Sequence, residues 1–86
     1  MRDVTSELRD VLALMGDGHW NAAHDRVQRL EGQLAAWLHG LLHLQEGDLE
    51  DAENWYERAG RRFRQRGTLD DELLLFESAL DAPQES

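Results

Sequence analysis

Apolar residues recur three or four positions apart along almost the whole chain, which is the spacing of one face of an α-helix. The first such stripe consists of Val4, Leu8, Val11, Leu12 and Met15. The one proline among the 86 residues stands near the C-terminus, at position 83, so proline interrupts none of the stripes. The pattern therefore predicts an all-α fold.

Turn-forming residues divide the pattern into five helices. The sequence "GDG" at 16–18 ends the first helix, Gly32 ends the second, and "EGD" at 46–48 ends the third. The third helix, from Gln33 to Gln45, is apolar almost all round, which predicts a central position with neighbours on several sides. The stripes of the other helices are Trp20, Ala23, Val27 and Leu30, then Leu49, Ala52, Tyr56 and Ala59, then Leu69, Leu73, Phe76 and Leu80.

Capping residues mark the starts of the last two helices. Asp48 precedes the fourth helix, and Thr68 precedes the fifth. Asp71 follows Thr68 by three residues, which resembles a capping box with Asp in place of the usual Glu. We therefore expect a side-chain cap at both helix starts.

The second and fourth helices are related by an offset of 29 residues, which aligns the pairs Gly18/Gly47, Ala23/Ala52 and Val27/Tyr56. Each helix of the pair follows another helix of similar length, so a helix–turn–helix unit occurs twice and a fifth helix follows. Units that cannot bury their apolar faces alone stack on their neighbours, and the terminal element caps the stack. We expect two antiparallel hairpins plus a C-terminal capping helix, in one helical domain over residues 1–82 with a short tail at 83–86.

The second hairpin resembles the tetratricopeptide repeat, and the matching residues are Gly40, Gly47, Asp48, Ala52, Tyr56 and Ala59. This resemblance implies a five-helix, tetratricopeptide-like bundle that binds proteins, in which Gly40 and Ala52 let two helix backbones approach closely. The segments "HWNAAH", "AAWLHGLLHLQEGD" and "NWYERAG", within residues 18–60, are similar to a group of small uncharacterised bacterial proteins. That similarity implies a helical fold and no assigned activity.

The charge of the chain argues against several classes of function. Eighteen Asp and Glu stand against nine Arg and no Lys, which gives a formal net charge of -9. A surface of that sign repels phosphate backbones and anionic membranes and favours basic or neutral partners. The sequence "RRFRQR" at 61–66 is locally basic, but the acidic remainder of the chain disfavours nucleic-acid binding. No apolar run reaches the roughly 18 residues of a membrane span, and no signal-peptide pattern is present, so we expect a cytoplasmic protein.

Four residues could form a metal or small-ligand site between the second and third helices. His39 and His43 lie four residues apart on one helix face, and Glu46 extends that face by a turn. Two imidazoles at this spacing can bind zinc together, and His24 on the adjacent helix is the candidate third ligand. The alternative is a packing role, with at least one of the histidines bonded to a carboxylate or a backbone carbonyl. We expect the packing role and no cofactor, and the metal or ligand pocket, with or without catalysis, is the competing interpretation.

The sequence favours a small non-enzymatic protein-interaction or adaptor module with an acidic helical-repeat surface. Cysteine is absent, so the chain has no thiol nucleophile, and its three serines stand near the chain ends, away from the histidines. Trp55 adjoins the stripe residue Tyr56, and Leu74 and Leu75 fall beside the stripe of the last helix. We expect these three residues, Trp55, Leu74 and Leu75, to contact a protein or peptide partner, or a second copy of the chain through the last helix.

Overall fold

Five α-helices and one short 3-10 turn make up the structure, a computed structural model that describes residues 3–82. The helices are α1 (Val4–Gly16), α2 (Trp20–Val27), α3 (Gln33–Glu46), α4 (Leu49–Arg58) and α5 (Leu69–Asp81), and the 3-10 turn is Phe63–Gln65. Helices α1 and α2 form one hairpin, α3 and α4 form a second, and α5 packs on α3. The predicted all-α fold with five helices is confirmed. The predicted tail at 83–86 lies outside the described residues.

Local sequence determines where several helices begin and end. The Asp48 carboxylate accepts a hydrogen bond from the backbone N–H of Asp51 at 3.2 Å. The Thr68 hydroxyl accepts from the Asp71 N–H at 3.1 Å, and the Asp71 carboxylate accepts from the Thr68 N–H at 3.2 Å. Both predicted caps are therefore confirmed. At the end of α3, Gly47 has a φ of 86°, the left-handed conformation that terminates many helices.

Helix α3 occupies the centre of the fold. All residues from Ala35 to His43 are buried, as the all-round apolar pattern predicts. The surrounding helices contribute one buried face each, with Leu8, Val11 and Met15 from α1, Ala23 and Val27 from α2, Ala52 and Tyr56 from α4, and Phe76 and Leu80 from α5. This central position also buries two polar side chains of α3, those of His39 and His43. Within residues 3–82, no helix is both long enough and apolar enough to cross a bilayer.

Gly40 lies at a close approach of α3 and α4. A Cβ atom at this position would lie 2.8 Å from Cδ1 of Tyr56 and 3.3 Å from the carbonyl oxygen of Ala52. The first distance is well inside the usual contact of about 3.5–4.0 Å between carbon atoms. The predicted close approach at Gly40 is therefore confirmed, and the ring of Tyr56 fills the space that a side chain would need.

A buried hydrogen bond joins α4 to α5. The Tyr56 hydroxyl donates to Oε1 of Glu72 at 2.5 Å, and the two residues are only 1% and 2% exposed. Burial and the bond to Glu72 raise the pKa of Tyr56, because both disfavour the phenolate. A glutamate is almost never fully buried without a partner, so this bond allows α5 to pack with Glu72 facing inward.

Three apolar residues depart from the predicted stripes. Val4 and Leu49 are the first residues of α1 and α4, and they are 49% and 51% exposed rather than part of the core. A side chain in the first turn of a helix at the edge of the fold is covered from one side only. Leu30 lies beyond α2, because the chain leaves the helix after Val27 in a tight turn with a bond from the Leu30 N–H to the Val27 carbonyl.

Candidate metal centre

Three histidines from two adjacent helices meet at the contact between the hairpins. His24 belongs to α2, whereas His39 and His43 belong to α3 and stand about one helical turn apart. Helix α2 packs against α3, and this contact brings His24 to the other two residues. His39 and His43 are 4% and 8% exposed, and His24 is half-buried.

The imidazole nitrogens of these residues converge. Nε2 of His39 lies 3.0 Å from Nε2 of His24, and each of the three residues, His43 included, has a ligand nitrogen within 4.8 Å of the others. Two nitrogens bound to one tetrahedral zinc at about 2.0–2.1 Å lie about 3.4 Å apart. In the structure these two nitrogens share a hydrogen bond. To bind the same ion, His24 and His39 need to lose the shared proton from Nε2 and to separate by about 0.4 Å.

Glu46 orients His43. Its Oε1 lies 2.7 Å from Nδ1 of His43. Because a carboxylate accepts hydrogen bonds, Nδ1 carries the proton in the neutral imidazole, and Nε2 is then the nitrogen that could bind a metal. In zinc sites, the ring N–H of a histidine ligand that does not bind the metal commonly donates a hydrogen bond to a carboxylate. The contact also confirms that at least one of the histidines is bonded to a carboxylate.

Two tryptophans pack against the histidines and fix their ring planes. The Trp55 ring stacks on His39 at 3.8 Å between centroids, and the Trp20 ring stacks on His24 at 4.8 Å. Nε1 of Trp20 donates a 2.7 Å hydrogen bond to the Leu42 carbonyl, which holds that indole in place. The rings of His24 and His39 meet at 88°. This edge-to-face arrangement lets the Nε2 atoms of the two rings approach each other.

The surroundings keep His39 neutral. Burial, and then the positions of His24, His43 and Arg58, lower the pKa of His39 to about 4. At neutral pH this imidazole is therefore unprotonated, as a metal ligand must be. The Arg58 guanidinium, 4.5 Å from the centroid of the Trp55 ring, opposes a cation in the cluster. The net negative charge of the whole chain, by contrast, attracts a cation.

A second set of potential ligands shares His43. His43, Glu46 and Asp48 also have ligand atoms within 4.8 Å of one another. Glu46 is bonded to His43, and Asp48 caps α4 through the N–H of Asp51. A metal bound there would compete with both of these contacts. The three-histidine set is therefore the better candidate centre.

The structure brings together all four residues of the competing sequence interpretation. His24, His39 and His43 form one cluster, and Glu46 contacts it from the end of α3. The rings of Trp20 and Trp55 stack on His24 and His39. A groove of about 400 Å³ is lined by His39 but by neither of the other two histidines, so the three imidazoles do not point together into an open polar pocket. The geometry thus combines features of a packed core with the donor set of a metal site.

The contacts of the two tryptophans with the histidines were not predicted from the sequence. Trp20 stands four residues before His24, and that spacing puts both rings on one helix face. Trp55 has no such signal, because it lies on α4 and the histidine it covers lies on α3. Leu74 and Leu75 of α5 are 67% and 51% exposed and take no part in the cluster. Partner binding by Trp55, Leu74 and Leu75 stays a prediction.

Comparisons with known proteins do not assign the chain to a family. No family model matches it, and no curated protein or solved structure matches it. The tetratricopeptide resemblance and the similarity to bacterial proteins stay predictions from the sequence. A proposal of function therefore rests on the side-chain geometry.

Proposed function

We propose that this protein binds a divalent transition metal ion, with zinc as the first candidate, through His24, His39 and His43. The observation that carries the proposal is the convergence of the three imidazoles, with Glu46 behind one of them. Neutral imidazole suits zinc, copper, nickel and iron, whereas calcium and magnesium take oxygen ligands. Because the chain has no cysteine, imidazole is its best ligand for such an ion.

The bound ion would crosslink the two hairpins. His24 lies on α2 of the first hairpin, and His39 and His43 lie on α3 of the second. A ligand that binds only the folded state adds about 2.7 kcal/mol to the free energy of unfolding when its concentration is a hundredfold above the dissociation constant. The expected consequence of metal binding is therefore greater stability of the contact between the hairpins.

Three protein ligands leave one tetrahedral position of zinc for water or a further ligand. Catalytic zinc sites share this composition. In this chain the rings of Trp20 and Trp55 cover the histidines, and the sequence favours a non-enzymatic protein. We therefore assign metal binding to these residues and no reaction.

Calorimetric titration of tag-free protein with Zn²⁺ tests the proposal. Wild-type protein should bind one equivalent, and His39→Ala should weaken binding by more than about tenfold, because it removes a ligand. Glu46→Gln should weaken binding by about 10–100-fold through the orientation of His43. His19→Ala is the matched control, because His19 is exposed and outside the cluster, and it should bind as wild type does.

Glu46→Gln is the sharper variant, because the Glu46 side chain is 37% exposed and its replacement should leave the fold intact. Circular dichroism of each variant separates a lost ligand from a lost fold. If wild-type protein binds no Zn²⁺, or if folded His39→Ala protein binds it equally well, the histidines are packing residues and the proposal is wrong.

A protein-interaction role is the second candidate, and it is compatible with metal binding. The sequence favours a cytoplasmic adaptor with a protein or peptide partner. The supporting observation is the exposure of Leu74 and Leu75, two adjacent leucines on α5. Exposed apolar surface of this kind commonly marks an interaction site. Replacing Leu75 by Glu should abolish such an interaction without unfolding the chain, because half of the side chain is already in solvent.

A further inference from the structure

Arginine is concentrated at one end of the α3–α4 hairpin. Five of the nine arginines lie within residues 58–66, and this segment contains no acidic residue. The rest of the chain has 4 arginines and 18 acidic residues, a formal charge of -14 against +5 for the segment. The charge distribution of this acidic protein is therefore strongly polarised.

The basic segment borders a groove of about 410 Å³, whose lining includes Arg61, Arg62, Arg66 and Leu75. The Arg61 guanidinium lies 3.6 Å from the centroid of the Trp37 ring, and the Arg66 guanidinium lies 3.8 Å from that of Phe63. Arginines stacked on rings in this way are partly ordered before binding, so they lose less conformational entropy when they meet a carboxylate. We call this surface the basic groove.

The two acidic residues of the basic groove already have partners. Glu72 is buried and accepts the hydrogen bond from Tyr56. The Asp71 carboxylate accepts from the Thr68 N–H in the capping box of α5. Each carboxylate therefore has one oxygen already committed to a contact that holds α5. The basic groove therefore presents guanidinium groups beside a half-exposed leucine, the complement of an acidic side chain beside an apolar one.

The start of α4 carries that complementary pattern. Leu49 is 51% exposed, and Glu50 and Asp51 follow it in the first, exposed turn of the helix. We call residues 49–51 the acidic end. The ten residues of α4 span about 15 Å, and the arginines of the basic groove follow the opposite end of that helix. The two surfaces of one molecule therefore cannot meet each other.

We infer that a second copy of this chain docks its acidic end into the basic groove. The inference builds on the protein-interaction role and is independent of the metal site. Leu49 of one copy would cover Leu75 of the other, while Glu50 and Asp51 would face the arginines. Because the contact joins different surfaces, a pair of copies keeps one free groove and one free acidic end between them, and the assembly grows with concentration instead of closing as a symmetric dimer.

Repulsion between the copies does not forbid this contact. Each copy carries a formal charge of -9, but the Debye length at about 0.15 M salt is about 8 Å. Charges elsewhere on the two molecules are largely screened at that distance, whereas carboxylates in direct contact with guanidinium groups are not. The free energy of the contact therefore depends mainly on the groups that touch, which are the paired charges and the two leucines.

Size-exclusion chromatography with light scattering tests the inference, over a range of protein concentrations, at about 0.15 M salt and with a chelator present. The wild-type mass should rise with concentration above the 9.9 kDa of the monomer. Arg62→Glu and Glu50→Arg each reverse one exposed charge, and each should raise the dissociation constant by about tenfold or more. An equimolar mixture of the two variants should associate again, because each supplies the intact surface that the other lacks.

Arg29→Glu is the matched control, because it makes the same charge change at an exposed residue outside the basic groove and should assemble as wild type does. A constant mass of 9.9 kDa at every concentration overturns the inference. An assembly that Arg62→Glu leaves unchanged, or a mixture of the two charge variants that stays monomeric, also overturns it. The chelator removes metal bridging, so these outcomes are independent of the Zn²⁺ titration.

Discussion

Replacing Tyr56 by Phe isolates the hydrogen bond between α4 and α5, because it removes one oxygen atom and keeps the ring that packs beside Gly40. The bond is 2.5 Å long and its acceptor, Glu72, is 2% exposed. A hydrogen bond to a charged group contributes about 1.5–3 kcal/mol, and a buried acceptor left without a partner costs about 1–3 kcal/mol. Because Glu72 is almost fully buried, its carboxylate regains little hydration when the hydroxyl is removed, so we expect the free energy of unfolding to fall by about 2–3 kcal/mol.

Urea denaturation of four proteins measures this effect as a double-mutant cycle. Glu72→Met alone should also destabilise the chain, because the Tyr56 hydroxyl then loses its buried acceptor. The double variant Tyr56→Phe/Glu72→Met should recover part of the loss, since replacing both partners by apolar groups of similar shape can be nearly neutral. A loss below about 0.5 kcal/mol in Tyr56→Phe, with no coupling in the cycle, would refute the role of this bond in holding α5.

Three further predictions concern the packing. Gly40→Leu should lower the free energy of unfolding by about 1–3 kcal/mol, because any Cβ at this position overlaps Tyr56; an unchanged urea midpoint would contradict the close approach. Without metal, stability should fall as the pH drops from 6.5 to about 4, by about 3 kcal/mol at most, because the unfolded chain binds a proton at His39 that the folded chain does not. His39→Gln should lack this slope in pH-dependent melts, and an equal slope in both proteins would assign it to other groups. A chain ending at residue 68 should aggregate or melt without cooperativity, because it uncovers the face of Trp37 that Phe76 packs against; a cooperative melt would refute this.

Periodicity and spacing were sufficient to predict the helices and to name the residues of the histidine cluster as an alternative to a packing role. The apolar character of α3 on all sides predicts its central position, and the interval of four residues between His39 and His43 predicts that they share a face. His24 follows because consecutive helices joined by a short turn lie side by side. These features depend on the geometry within one helix and on contacts between consecutive helices, and both can be predicted from the spacing of residues in the sequence.

Features that depend on the edges of the fold or on a distant partner were not predictable. Helical spacing puts Leu49 on the face of α4 that carries Ala52, but it does not reveal that the first turn lies at the edge of the structure. Glutamate is usually exposed to solvent, so the sequence predicts an exposed Glu72. Its burial is explained only by the hydrogen bond from Tyr56 on another helix. The stacking of Trp55 on His39 likewise joins two helices through side-chain rotamers that no sequence period encodes.

The shortness of α2 has a kinetic consequence for a bound ion. With eight residues, α2 is below the roughly 12 residues that an isolated helix needs even to be marginally stable, so its helicity depends on the packing of Ala23 and Val27. Elements of this kind open locally at a lower free energy than global unfolding. Each opening would withdraw His24 and leave the ion on two ligands of α3. The residence time of the metal would then follow the local opening of a two-turn helix, and hydrogen exchange of the α2 amides would slow when metal is bound.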